Sequence, residues 1–174
     1  YGREPLQFLK NGHFVPMELA SRFETIASQI CAAVTPRFDR ANYILLHGDC
    51  HSGNILWNRD DPYFIDFDDM LYAPPVQDIW MLTGGDDDYG KERRQILLEA
   101  YEQIRTFDMT TLQLIEPLRA LRMIHFSAWI ARRWEDCAFK IAFPDFGTEH
   151  YWQEQIEALA LHLEKVQYVT TDLY

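Results

Sequence analysis

Between residues 17 and 34 apolar side chains recur at helical spacing. Leu19, Phe23, Ile26, Ala27, Ile30 and Val34 share one face, and Pro16 stands where a helix can start. The pattern then shortens. Residues 42–46, 55–57 and 63–66 are brief β-prone runs, the last two parted by the turn-rich Asn58-Arg59-Asp60-Asp61-Pro62, and this predicts a small hairpin. Helical spacing returns after Pro74-Pro75, through Asp78-Ile79-Trp80-Met81-Leu82, and breaks at Gly84-Gly85-Asp86-Asp87-Asp88, where the three aspartates read as a solvated loop. A helix is expected over 91–105, burying Ile96, Leu97, Ala100, Tyr101 and Ile104. A longer one is expected over 111–134, either kinked at Pro117 or starting afresh there. Its stripe of Leu118, Leu121, Ile124, His125, Ala128 and Trp129 reads as core. The last helix spans about 149–167. The expected fold is therefore α+β and mostly α, in three stretches: an opening segment and helix over 1–41, short strands and loops over 42–80, and a helical remainder over 81–174.

Composition agrees with one globular domain: 174 residues, 48% hydrophobic and 14% aromatic. No apolar run is long enough for a bilayer, and the first residues lack the pattern of a secretory signal. Cys31, Cys50 and Cys137 are odd in number and widely spaced, with no Cys-x-x-Cys pair, so a reducing cytoplasm is the expected setting. The net charge of -11 argues against a nucleic-acid surface, which wants clustered Lys and Arg. It could attract a cationic substrate, although acidic surfaces also simply keep proteins apart.

The chemistry concentrates in HGDCHSGNILW at 47–57 and FIDFDD at 64–69. An aspartate, an asparagine five positions on, and a further aspartate after a short apolar run is the order that phosphoryl transfer asks for. Asp49 is the candidate base for an attacking hydroxyl. Asn54 and Asp66 are candidate oxygen ligands for Mg²⁺ on the phosphates of ATP. Singly each has a structural explanation: a turn cap, a satisfied loop backbone, a strand end. In this order and spacing the chemical reading is preferred.

His47 and His51 invite a transition-metal reading, but on one irregular loop they can equally donate to backbone carbonyls or to Asp49 and Asp66 and hold its shape. Asp68 is expected on the same side of an extended strand as Asp66, either adding charge to the metal site or solvated. Cys50 beside His51 is not expected to be a nucleophile. No glycine-rich phosphate loop, Walker A segment or Val-Ala-Ile-Lys strand is found, so an upstream nucleotide-clamping lobe is expected to lie outside this sequence.

These motifs, with APPVQDIWML at 73–82, resemble the aminoglycoside phosphotransferase and choline kinase superfamily. IEPLRALRMIHFSAWIARRW at 115–134 and Tyr151-Trp152 are similar to the stress-response serine/threonine protein kinases of that fold. The resemblance implies the kinase-like carboxyl-terminal lobe and transfer of the γ-phosphate of ATP to serine or threonine hydroxyls of a protein. It also implies Asp49 as proton acceptor, Asn54 and Asp66 as magnesium ligands, and Asp78 as the acid tying the catalytic loop to the next helix.

Gly48 stands where protein kinases have the arginine of His-Arg-Asp, and 11 residues lie between Asp66 and Asp78, leaving no room for a long activation segment. Asp68 stands at the glycine of Asp-Phe-Gly, which makes a backbone flip there less accessible. Two other functions compete: a small-molecule kinase acting on cationic aminoglycosides or choline-like amines, and a binding module without catalysis.

Overall fold

The computed structural model describes residues 2–38, 41–85 and 87–171. In chain order the elements are α1 (Arg3–Asn11), α2 (Met17–Phe38), β1 (Ile44–Leu46), a 3₁₀ turn (Ser52–Asn54), β2 (Ile55–Asn58), β3 (Asp61–Phe64), β4 (Leu71–Ala73), α3 (Val76–Thr83), α4 (Asp88–Glu102), a second 3₁₀ turn (Met109–Leu114), α5 (Ile115–Arg132), α6 (Cys137–Ala142) and α7 (Glu149–Thr171). The fold is mostly helical α+β, with two small antiparallel sheets. It divides into two compact units, one from residues up to 39 and from 116 onward, the other from 40–115.

The first unit is organised by burial. The stripe expected on α2 packs inward, with Phe23, Ala27, Ile30 and Val34 all buried, and α5 and α7 supply Leu121, Ile124, Ala128, Trp152, Ile156 and Leu159 to the same core. Trp152 is fully buried and meets Phe23 edge to face, with ring centroids 5.2 Å apart. α5 starts afresh at Ile115 rather than kinking. Pro117 falls in its first turn, where the missing N–H has no intrahelical acceptor to lose. Glu116 in the same turn is mostly shielded and gathers Arg119, His162 at 2.8 Å and Lys165 at 3.6 Å, tying the start of α5 to α7. α1 and α6 were not anticipated. At nine and six residues they are too short for periodicity to reveal.

The second unit is built on short pairings. β1 pairs with β4 from Ile44↔Ala73 to Leu46↔Leu71, and β2 pairs with β3 from Ile55↔Phe64 to Asn58↔Asp61. The hairpin is tighter than its sequence predicts. Only Arg59 and Asp60 connect the strands, with Arg59 in the left-handed region at φ 58°. Asp61 and Pro62 belong to β3, where a two-stranded ribbon has a free edge that tolerates proline. β3 stops at Phe64, so Asp66 lies beyond the strand. Asp68 and Asp69 form a turn and do not continue an extended run, which removes the expected shared side of Asp66 and Asp68.

α4 is real, but its face is rotated from the expected one. Leu98 is buried, whereas Ile96 is 60% exposed and Ile104, past the helix end, is 92% exposed. Three consecutive apolar residues, Ile96, Leu97 and Leu98, support more than one helical phase, and tertiary packing selects among them. Asp87 is no idle loop residue: its carboxylate accepts from Gly90 N at 2.8 Å and caps α4, which Asp88 begins, while Asp86 lies outside the described residues.

Candidate active site

The chain leaves β1 at Leu46 and turns sharply through Gly48, whose φ of 86° is left-handed. A Cβ there would stand 2.1 Å from Asp69 O and 2.4 Å from a Leu71 methyl, so glycine alone fits both the angle and the approach. The turn is gripped by the first turn of α3. Asp78 Oδ2 accepts from His47 N at 2.9 Å and Asp78 Oδ1 from Gly48 N at 3.0 Å. Gln77 Nε2 donates to Gly48 O at 3.1 Å. Burial pushes the Asp78 carboxyl above the ordinary carboxylate value, and the two N–H donors and His47 pull against that shift.

Asp49 follows directly, its side chain 19% exposed. Its carbonyl accepts from His51 N at 2.9 Å and from Asn54 Nδ2 at 3.0 Å, and the same Asn54 nitrogen lies 3.4 Å from Asp49 Oδ2. His51 accepts from Gly53 N at Nδ1, 3.0 Å away. That bond leaves its ring proton on Nε2, which faces Asp49 Oδ2 at 3.5 Å. Cys50 is buried, and burial first, then the charges of Asp78 and Asp49, push its thiol up to about 11, so it is a neutral thiol at ordinary pH and no nucleophile.

The segment bearing Asp66 is attached at its flank. Ile65 N donates to Asn54 O at 3.0 Å, and His47 Nε2 donates to Ile65 O at 2.8 Å. The buried His47 ring also lies against Phe67, centroids 4.8 Å apart. Between these anchors Asp66 adopts φ 63°, a left-handed conformation that costs a residue with a Cβ roughly 1–3 kcal/mol unless its surroundings impose it. Its carboxylate is exposed.

One hydrogen-bonded loop thus joins His47, Asp49, His51, Asn54 and Asp78. Asp66 is attached to it through Ile65, and Asp68 stands exposed in the turn at 68–69. Gln77 was overlooked. The segment APPVQDIWML carries no local sign of this contact, and only the fold shows Gln77 reaching back to the loop.

The donors fit magnesium. The Asn54 amide nitrogen is engaged with Asp49, which leaves its carbonyl oxygen on the opposite side, and Asp66 offers an accessible carboxylate: the hard oxygens that Mg²⁺ takes. A transition-metal centre is less well served. Among the described residues no group of three His, Cys, Asp or Glu side chains is arranged to hold a metal, and His47 Nε2 and His51 Nδ1 are both bonded to backbone groups.

This loop and its mostly helical α+β scaffold match a family of phosphotransferases. The chain is a member of the phosphotransferase enzyme family (APH), whose model matches residues 9–115, a span containing the whole site. Among its relatives is Stress response kinase A of Escherichia coli (strain K12), 42% identical over 153 residues, which cover 87% of this chain and 46% of that protein. Serine/threonine protein kinase RdoA of Salmonella typhimurium (strain LT2) is 43% identical over 154 residues, with the same coverage. The chain spans about half the length of the curated relatives it matches. The fold is shared with spectinomycin phosphotransferase APH(9)-Ia, solved in complex with ADP and spectinomycin, at a TM-score of 0.51 and 20% identity over 92% of this chain and 49% of that one.

Proposed function

We propose that this chain is the carboxyl-terminal catalytic lobe of a cytoplasmic, ATP- and Mg²⁺-dependent serine/threonine protein kinase of the stress-response type. The observation that carries the reading is the double brace on Asp49, which holds a mostly shielded carboxylate beside an asparagine whose amide oxygen faces away from it. Identity above 40% to proteins named as stress-response or serine/threonine protein kinases supports a protein acceptor.

In the reaction so assigned, Asp49 accepts the proton of a serine or threonine hydroxyl as its oxygen attacks the γ-phosphorus of ATP. The new P–O bond forms while the bond to the bridging oxygen of ADP breaks, and the phosphorylated residue and ADP leave. Asn54 and Asp66 would hold the magnesium, which offsets charge on the phosphate oxygens. Asp66 is positioned by the carbonyl–histidine bond at Ile65. His51 orients its Nε2–H towards Asp49, and Asp78 anchors the loop. Asp68 lies near enough in sequence to add negative charge, a minor role. On this reading the nucleotide clamp comes from a lobe matching the part of the relatives' length that this chain does not span.

The test is magnesium-dependent transfer of labelled γ-phosphate to the protein itself and to a generic protein acceptor, using this chain beside a version extended upstream to the length of its relatives. Transfer in the extended form that vanishes in Asp49→Asn is expected. Transfer to amino alcohols or aminoglycosides with none to protein would replace the protein-kinase reading by a small-molecule one. Full activity in Asp49→Asn would exclude Asp49 as the base.

A further inference from the structure

We propose that Gln77 is a positioning residue for Asp49, forming with Asp78 a two-residue brace that grips both peptide groups of Gly48; the proposal rests on the reading of Asp49 as the base. Asp78 accepts from the N–H of Gly48 and from that of His47 before it. Gln77, its sequence neighbour on α3, donates to the Gly48 carbonyl at 3.1 Å, and that carbonyl belongs to the peptide group leading into Asp49.

Three features mark Gln77 as more than filler. Its side chain is only 3% exposed, so the amide sits where a mismatched polar group is costly. Its orientation is determined from both ends: Oε1 lies 3.4 Å from the Trp80 indole N–H, and Nε2 also lies 3.4 Å from Met81 Sδ. Reversing the amide would set two oxygens against each other at Gly48. The bond also acts on the most permissive backbone in the loop, a glycine at φ 86°, where small rotations of the following peptide swing the Asp49 side chain. The carbonyl beyond, that of Asp49, is already held by His51 N and Asn54 Nδ2. Gln77 therefore supplies the upstream brace that completes the aim of the carboxylate. Misplacing a catalytic group by about 1 Å lowers turnover by about a hundredfold.

The test compares Gln77→Met, Gln77→Glu and Thr83→Ala in the protein extended upstream. Thr83→Ala removes a buried bond to Ile79 O elsewhere on α3 and reports what a mere weakening of that helix does. Gln77→Met lacks the donor and Gln77→Glu lacks it once ionised; at a pH where the glutamate is charged both are expected to lower kcat by about tenfold or more with KM for ATP changed less than about twofold, while Thr83→Ala lowers Tm and leaves kcat alone. A second readout does not depend on activity. The amide NMR signal of Asp49, which shares its peptide group with the Gly48 carbonyl, is expected to shift and exchange faster in Gln77→Met but not in Thr83→Ala.

Wild-type kcat in Gln77→Met while Asp49→Asn abolishes transfer would overturn the brace and leave the base assignment standing. So would an unshifted Asp49 amide, or an equal kcat loss in Thr83→Ala. Undiminished transfer in Asp49→Asn would instead sink the base, and with it the function proposed for the brace.

Discussion

The two units of this protein are held in different ways. In the first, large apolar side chains interlock: Phe23, Ile30, Ile124, Trp152 and Ile156 are all buried, and their contribution is spread over many contacts. In the second, many large apolar side chains face outward, among them Trp57 at 67% and Tyr72 at 70% exposure. What shapes the loop there is a small number of hydrogen bonds to backbone groups, donated by the side chains of His47, Asn54 and Gln77 and accepted by that of Asp78. Spread-out packing tolerates change gradually, whereas a loop gripped by single polar bonds loses its geometry with one substitution. A loop with the role proposed for Asp49 needs one conformation, and directional bonds define it more sharply than apolar contact does.

The sharpest way to separate the units is chemical. Asp49→Asn is expected to reduce phosphoryl transfer by about 10²–10⁴-fold, the usual contribution of a general base, with little change in unfolding temperature. Steady-state kinetics beside calorimetry would show it, and a large fall in Tm would mean that the residue is structural.

Next in size is Trp152→Ala, expected to destabilise the first unit by about 3–5 kcal/mol through the cavity it leaves. Trp152→Phe should cost markedly less. The indole N–H has no hydrogen-bond partner among the described residues, so removing it sacrifices no bond. Denaturant unfolding of both variants tests this, and hydrogen exchange would show whether the loosening is confined to 1–39 and 116–174.

Gly48→Ala comes third. The left-handed backbone alone costs an alanine about 1–2 kcal/mol, and its Cβ would also collide with Asp69 O. Loss of transfer with faster exchange of amides in the second unit is expected. A variant as active as wild type would show that the loop has a second, equally good path.

The smallest effect is a pH dependence. Because burial holds the folded Asp78 pKa above its unfolded value, the folded state binds that proton more tightly. The contribution is present below the ordinary carboxylate pKa and is lost as pH rises through the raised folded value. The stability difference between wild type and Asp78→Asn should therefore shrink from acid towards neutral pH. A difference that grows with pH would mean that the His47 and Gly48 N–H donors outweigh burial.

The long helices were legible because each writes its own period over several turns: Phe23, Ala27, Ile30 and Val34 of α2 and Leu118, Leu121, Ile124 and Ala128 of α5 are buried as expected, while Leu19, Ile26, His125 and Trp129 are only partly so. The candidate site was legible as a cluster as well, since Asp49, Asn54 and Asp78, which occur in a recognisable order, meet in one hydrogen-bonded loop. What escaped had a different character. β4 is three residues long and exists only because β1 lies beside it. α4 carries three adjacent apolar residues, and spacing alone could not choose its phase. Gln77 was hidden because a glutamine beside an aspartate has no local signature of a brace.

By itself, then, the sequence determined where the long helices lie and gathered into one short stretch the oxygens proposed as base and magnesium ligands. All of these depend on neighbours a few residues apart. Tertiary structure alone decided the left-handed turn at Asp66, the approach of Asp69 to Gly48, and the reach of Gln77 and Asp78 back across about 30 residues to the loop. Those features come from groups distant in sequence meeting in space, where hydrogen-bond geometry and excluded volume impose conformations that no local propensity favours.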